Sequence, residues 1–71
     1  MFNVGEFVTC QFFNWPEGTY YGDVFNGEII AIDWDRPERK GRFPMPYLVK
    51  REGLPDVWLA SREVFRRGAI R

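Results

Sequence analysis

A chain of 71 residues is read as one domain, 1–71, near the lower limit for folding around one core without staples, and it buries only about 60% of its unfolded surface. Ten Lys plus Arg balance ten Asp plus Glu, which argues against a nucleic-acid field and removes the repulsion that keeps small domains apart. There is no His, and the one cysteine is Cys10; this removes the commonest general base and metal ligand, excludes an internal disulfide, and fits a reducing compartment.

Bulk comes from aromatics: Phe 7, Trp 3 and Tyr 3, each able to bury on the order of 150–250 Å². That exceeds what a thin core encloses, so several rings should line a groove or a subunit contact. The segment Met1-Phe2-Asn3-Val4-Gly5-Glu6 has no basic stretch followed by an apolar one, so no signal peptide is indicated. No apolar run approaches the ~20 residues that span a bilayer. The expectation is a cytoplasmic protein without a membrane partner.

In chain order, Phe7 to Phe13 alternates Val8, Cys10 and Phe12 with Thr9 and Gln11, the period of a half-buried strand. Asn14 to Asn26 carries Trp15-Pro16, Glu17-Gly18 and Gly22-Asp23 and reads as a long aromatic loop, with at most an irregular ribbon over Tyr20 to Phe25. Asn26-Gly27 opens the stretch that organises the chain, a second strand from Gly27 to Trp34 whose continuous apolar run implies burial on both faces or a bulge near Ala31. Asp35 to Pro44 is a charged loop with two prolines and Gly41, which prevent a helix. A third strand follows over Met45 to Arg51, with Pro46 at its start or on an edge. Glu52 to Asp56 turns the chain into a fourth strand, Val57 to Leu59. A helical or 3₁₀ turn with Ser61 available as cap spans Ala60 to Glu63. Val64 to Arg66 closes as a fifth strand, and Gly68 to Arg71 frays. Five short strands in this order predict an all-β fold, a small five-stranded SH3-like barrel with a long first loop and a short 3₁₀ turn before the last strand.

Gly5-Glu6-Phe7-Val8, Gly27-Glu28-Ile29-Ile30-Ala31, Pro46-Tyr47-Leu48-Val49 and Leu59-Ala60-Ser61-Arg62-Glu63-Val64 together resemble the layout of the plasmid-type (type II) dihydrofolate reductases, small SH3-like barrels carried on mobile elements. The resemblance covers most of the chain from Gly5 to Arg66, through elements common to many barrels of this class. It implies a homotetramer whose pore binds folate and NADPH through a Val-Gln-Ile-Tyr segment on the fourth strand and a lysine on the first. Here that segment falls on Asp56-Val57-Trp58-Leu59 and the lysine on Cys10 or Gln11, and Trp15 to Phe25 is an insertion. The resemblance therefore implies the fold without the reductase residues, and no cofactor is expected.

Trp15, Glu17, Tyr20, Tyr21, Asp23 and Phe25 crowd the first loop. In SH3 domains this loop helps form a groove for proline-rich peptides, and in Tudor-like relatives aromatics and an acid cage methylated cations. The plainer alternatives are a loop folded over the barrel end or a subunit contact. Trp34, Tyr47 and Trp58 sit on or beside strands as core or interface residues. Val57 and Leu59 flank Trp58, so either burial leaves an apolar group outside. Arg36, Arg39, Lys40 and Arg42, with Phe43 beside them, are candidates for polyanion contact, but Asp33, Asp35 and Glu38 interleave with them and favour a solvated loop. Arg62, Arg66, Arg67 and Arg71 form a second basic group. Cys10 has no base and no metal-ligand spacing or phosphate loop is present, so no catalytic or metal residue is assigned. The expected function is a non-enzymatic interaction module that binds a protein segment or its own copies. A reductase, or a weak nucleic-acid binder through 36–43, are the alternatives.

Overall fold

The computed structural model describes residues 2–67. Strand β1 (Phe7–Asn14) turns into β2 (Thr19–Ile32), and the two pair antiparallel from Phe7↔Glu28 to Asn14↔Thr19. β2 continues past β1 to pair with β5 (Tyr47–Arg51), which pairs with β6 (Leu54–Leu59). After a 3₁₀ turn over Ser61–Glu63, β7 (Val64–Arg66) pairs with the outer side of β1. The resulting antiparallel sheet has the order β6-β5-β2-β1-β7. A separate ribbon joins β3 (Arg39–Lys40) to β4 (Phe43–Pro44). Among the described residues no pairing joins β6 to β7, so the sheet is open and the expected closed barrel is corrected to a five-stranded sheet.

One face of the sheet carries the core. Val8 and Cys10 from β1, Ile29 from β2, Tyr47 and Val49 from β5, Leu59 from β6 and Val64 from β7 form one buried cluster, with Phe12, Phe25 and Val57 packed against it. The period of two over Val8 and Cys10 holds, but Thr9 is also buried; its hydroxyl donates to Asn26 Oδ1 at 3.0 Å, which satisfies it across the pair. Gly27 faces Val8 in the ladder. A Cβ there would strike Val49 Cγ1 and stand 2.8 Å from the Lys50 carbonyl oxygen, so only glycine permits this approach.

The largest departure from the sequence-based expectation is the segment 14–26. It is a hairpin rather than a loop: β2 begins at Thr19, and only Trp15 to Gly18 turns. Cross-strand pairs Phe12↔Tyr21 and Phe13↔Tyr20 outweigh the breakers because aromatic pairs stabilise a ladder directly. The register shift expected near Ala31 is present between Ile29 and Ala31, and another lies between Cys10 and Phe12. The second strand ends at Ile32 rather than Trp34, and the third begins at Tyr47 rather than Met45, with Pro46 buried just before it. The turn before the fourth strand is only Glu52-Gly53, so β6 starts at Leu54. β6 is an edge strand, which is why it accommodates Pro55. The cap of the 3₁₀ turn is Ala60, not Ser61, and Glu63 takes over the capping role. The predicted fraying of 68–71 lies outside the described residues.

Candidate aromatic and arginine face

Phe12 and Phe13, successive residues of β1, point to opposite sides of the hairpin, and each builds its own aromatic group. Phe13 meets Tyr20 at 5.1 Å between ring centroids and Phe43 at 6.3 Å. Tyr20 meets Phe65 at 5.6 Å, and Phe43 meets Trp15 edge-on at 5.3 Å. Five rings from β1, the hairpin turn, β2, β4 and β7 thus form one row. Phe13 is its buried anchor at 3% exposure, whereas Trp15 at 38% and Tyr20 at 41% face solvent. Such edge contacts are worth about 0.5–1.5 kcal/mol each beyond area burial.

Two guanidinium groups lie over this row. Arg62 Cζ stands 4.8 Å from the centre of Phe43 and 5.0 Å from that of Phe13, and Arg42 Cζ stands 5.5 Å from that of Trp15. The Tyr20 hydroxyl donates to the Arg62 carbonyl oxygen at 2.8 Å, tying the hairpin to the 3₁₀ turn. The Trp15 indole lies over Gly41, whose φ of 62° lets the β3–β4 turn form and whose missing side chain leaves room for the ring.

Beneath the face lies a fully buried carboxylate. Glu63 Oε2 accepts from the Phe13 amide at 2.9 Å and from Lys40 Nζ at 2.6 Å, while Oε1 accepts from the Ala60 amide at 2.9 Å. Burial of a charge is tolerated here because it is both paired and hydrogen-bonded. Three segments distant in sequence are fixed by one side chain. Sequence reasoning missed Glu63, Phe13 and Phe65 as parts of a site; the available signal was an acid three residues after Ala60, the spacing of a reciprocal cap.

The structure divides the predicted first-loop set. Trp15 and Tyr20 join the row above. Tyr21 stacks on Phe12 at 5.8 Å on the other side, and Phe12 meets Phe25 at 5.4 Å, with Lys40 Nζ 5.3 Å from Phe12 and Arg51 Cζ 5.4 Å from Phe25. Glu17 sits on the exposed turn and accepts from Asn14 Nδ2 at 3.3 Å, and Asp23 is exposed on β2. The aromatics and the two acids are not brought into one groove.

Of the strand-associated candidates, expected as core or interface, Tyr47 is core at 2% exposure and not an interface residue. Trp34 packs edge-on against it at 5.7 Å while remaining 46% exposed. Trp58 is half-buried, paired across the ladder with Leu48 and covered by Arg36, whose Cζ lies 3.8 Å from the ring centre. That guanidinium covers the apolar side which the alternation left outside.

The basic cluster is dispersed. Arg36 pairs with Glu38 at 2.9 Å, Arg39 donates to the Arg36 carbonyl oxygen, Lys40 turns inward to Glu63 and Arg42 goes to Trp15. In the second basic group Arg62 belongs to the aromatic row and Arg66 approaches Glu6 at 3.7 Å. Arg67 lines a cleft of about 310 Å³ with Phe7, Glu28, Lys50 and Glu52, and Arg71 lies outside the described residues.

Cys10 is wholly buried. Burial foremost, and the Glu63 charge after it, push its thiol from 9.0 up to about 12 against an opposing effect of Arg51, so it is a small hydrophobe and not a nucleophile at neutral pH. Among the described residues no group of three or more acidic, Cys or His side chains could hold a metal, and no helix is long and apolar enough to cross a membrane. Comparison of the chain with known families, curated proteins and solved structures found no match.

Proposed function

We propose that this protein is a non-enzymatic interaction module with an SH3-like strand order that binds a protein segment on its aromatic and arginine face. The observation that carries the reading is the row of five rings with Trp15 and Tyr20 exposed and two guanidinium groups laid over it. Tyr, Trp, Phe and Arg are the residues enriched at the centres of protein interfaces, where a few of them carry most of the affinity. The SH3-like reading is supported by the strand order, with the last strand beside the first, and by the 3₁₀ turn before it. The resemblance to type II dihydrofolate reductases supports the layout and supplies no active-site residue.

The test is selection of a random linear-peptide library on the immobilised protein. Enriched peptides should bind the wild type and lose binding to Trp15→Ala, while Tyr21→Ala, on the opposite side of the hairpin, keeps it. Both variants should melt within a few degrees of wild type. Enrichment no greater than on Trp15→Ala overturns the reading.

Self-association is the second reading, favoured by Phe7 at 58%, Leu54 at 57% and Trp34 at 46% exposure on a chain of zero net charge. Sedimentation velocity across the micromolar range tests it, and a monomer throughout discards it.

A further inference from the structure

We infer that the segment taken by this face is acidic and extended, its carboxylates received by Arg62 and Arg42 and its apolar side chains laid on Trp15, Tyr20 and Phe43. The inference rests on the interaction-face reading above and adds the chemistry of the partner.

Among the described residues, Arg36 and Arg66 lie within ion-pair distance of Glu38 and Glu6, Lys40 is held by Glu63, and Arg39 and Arg51 donate to backbone carbonyls. Lys50 and Arg67 share their cleft with Glu28 and Glu52. Arg42 and Arg62 make no ion pair and donate no side-chain hydrogen bond there. Of the nearby acids, Glu63 is buried and paired with Lys40, and Glu17 on the hairpin turn keeps its charge while accepting from the neutral Asn14 amide, so the two guanidinium groups stand against one free carboxylate. A domain neutral overall therefore presents a face that is locally cationic.

A guanidinium held over aromatic rings keeps its planar fork of five donors, which matches a carboxylate in bidentate fashion. Arg62 is fixed at its main chain by Tyr20 and by the turn that Glu63 caps, and Arg42 stands in the tight turn between β3 and β4. Both are positioned before a ligand arrives, which lowers the ordering cost of binding. Phe13 lies below the surface, and the two remaining neighbouring pairs, Tyr20–Phe65 and Trp15–Phe43, have centroids 5.6 and 5.3 Å apart, close to the ~6.6 Å between alternate side chains of an extended chain. A segment crossing the row would set every second side chain against it.

Competing ligands fit less well. Bases of single-stranded nucleic acid need a whole ring face to stack on, which the guanidinium groups over Phe13, Phe43 and Trp15 cover, whereas an apolar side chain needs only the part of a ring left exposed. A methylated cation would meet Arg42 and Arg62 where its cage requires an acid.

The experiment sequences the peptides enriched in the selection above and measures individual hits by fluorescence anisotropy. Asp or Glu flanked by apolar residues should dominate, and changing that acid to its amide in the peptide should weaken binding roughly tenfold. Arg62→Gln and Arg42→Gln should weaken the acidic peptide by a similar factor and leave its amide form unaffected. Because the peptide-side change leaves the protein untouched, a folding defect in either variant does not blunt the test. Hits without acids, or acidic hits indifferent to the amide change, overturn the inference while the interaction face stands. No enrichment overturns both. Oligo-thymidylate or oligo-uridylate binding more tightly than any peptide, with affinity falling steeply as salt rises, overturns it in favour of nucleic acid.

Discussion

Changing Glu63 to Gln preserves volume and shape while replacing one acceptor oxygen with a donor NH₂. In the native structure Oε1 faces the Ala60 amide, and Oε2 faces the Phe13 amide and the Lys40 ammonium. An amide can satisfy one side only, so in either orientation a donor confronts a donor. A charge-assisted hydrogen bond contributes ~1.5–3 kcal/mol, and a buried donor left unpaired costs ~1–3 kcal/mol. The Lys40 side chain is 22% exposed and can turn to water, which holds the loss below the ~3–5 kcal/mol of breaking a fully buried pair. The expected destabilisation is about 3 kcal/mol, against a total of roughly 4–10 kcal/mol for a chain of this size. In urea titrations followed by circular dichroism, with a slope near ~1 kcal/mol/M, the midpoint should fall by roughly 2–3 M. The Phe13 and Ala60 amides should also lose hydrogen-exchange protection ahead of the rest of the sheet. A midpoint within about 0.5 M of wild type at unchanged slope would mean that the carboxylate does not hold the hairpin, the ribbon and the turn together.

Two further outcomes are expected. The folded-state pKa of Cys10 is raised to about 12 from 9.0, so its contribution to stability is complete below the lower value and declines as pH rises towards the upper one, by up to ~1.4 kcal/mol per unit. The difference in stability between wild type and Cys10→Ala should shrink over that range, and the native thiol should resist a disulfide-exchange reagent at pH 8; reaction at the rate of a free thiol refutes the burial argument. Arg36→Ala, in a background where Trp15 and Trp34 are Phe, should shift Trp58 emission to the red and cost about 1 kcal/mol. Unchanged emission would mean that the guanidinium does not shield the ring.

The sequence was most legible where a single physical pattern dominated. The period of two placed Val8 and Cys10 in the core, the apolar run from Gly27 located the middle of β2 and its irregularity near Ala31, and Val64 to Arg66 closed as a strand. Legibility failed where local and cross-strand preferences opposed each other. Gly18 and Gly22 read as loop, but the pairs Phe12↔Tyr21 and Phe13↔Tyr20 depend on residues eight or so positions apart meeting across a hairpin, which no local window sees. The face was harder still. Arg62 read only as one of a second basic group because Phe43 and Phe13 lie far from it in sequence, and Lys40 read as part of a surface cluster because its partner, Glu63, is 23 residues away. The surplus of aromatics did announce that rings would remain outside: of thirteen, two are buried and five are exposed.

The pairing of β7 with β1 has a consequence for the order in which the protein is made. Val8 lies opposite Arg66, and the Phe13 amide waits for a carboxylate 50 positions later. On the ribosome the first strand emerges with one flank unpaired and keeps it so until nearly the last described residue has been synthesised. The hairpin and the β5–β6 pair can form from their own neighbours, but the clasp that Glu63 provides cannot form until Glu63 itself has cleared the exit tunnel. Contacts of such long sequence separation slow folding. During that interval the exposed flank of β1, with its Phe12-Phe13 pair, is the part of the nascent chain most in need of shielding.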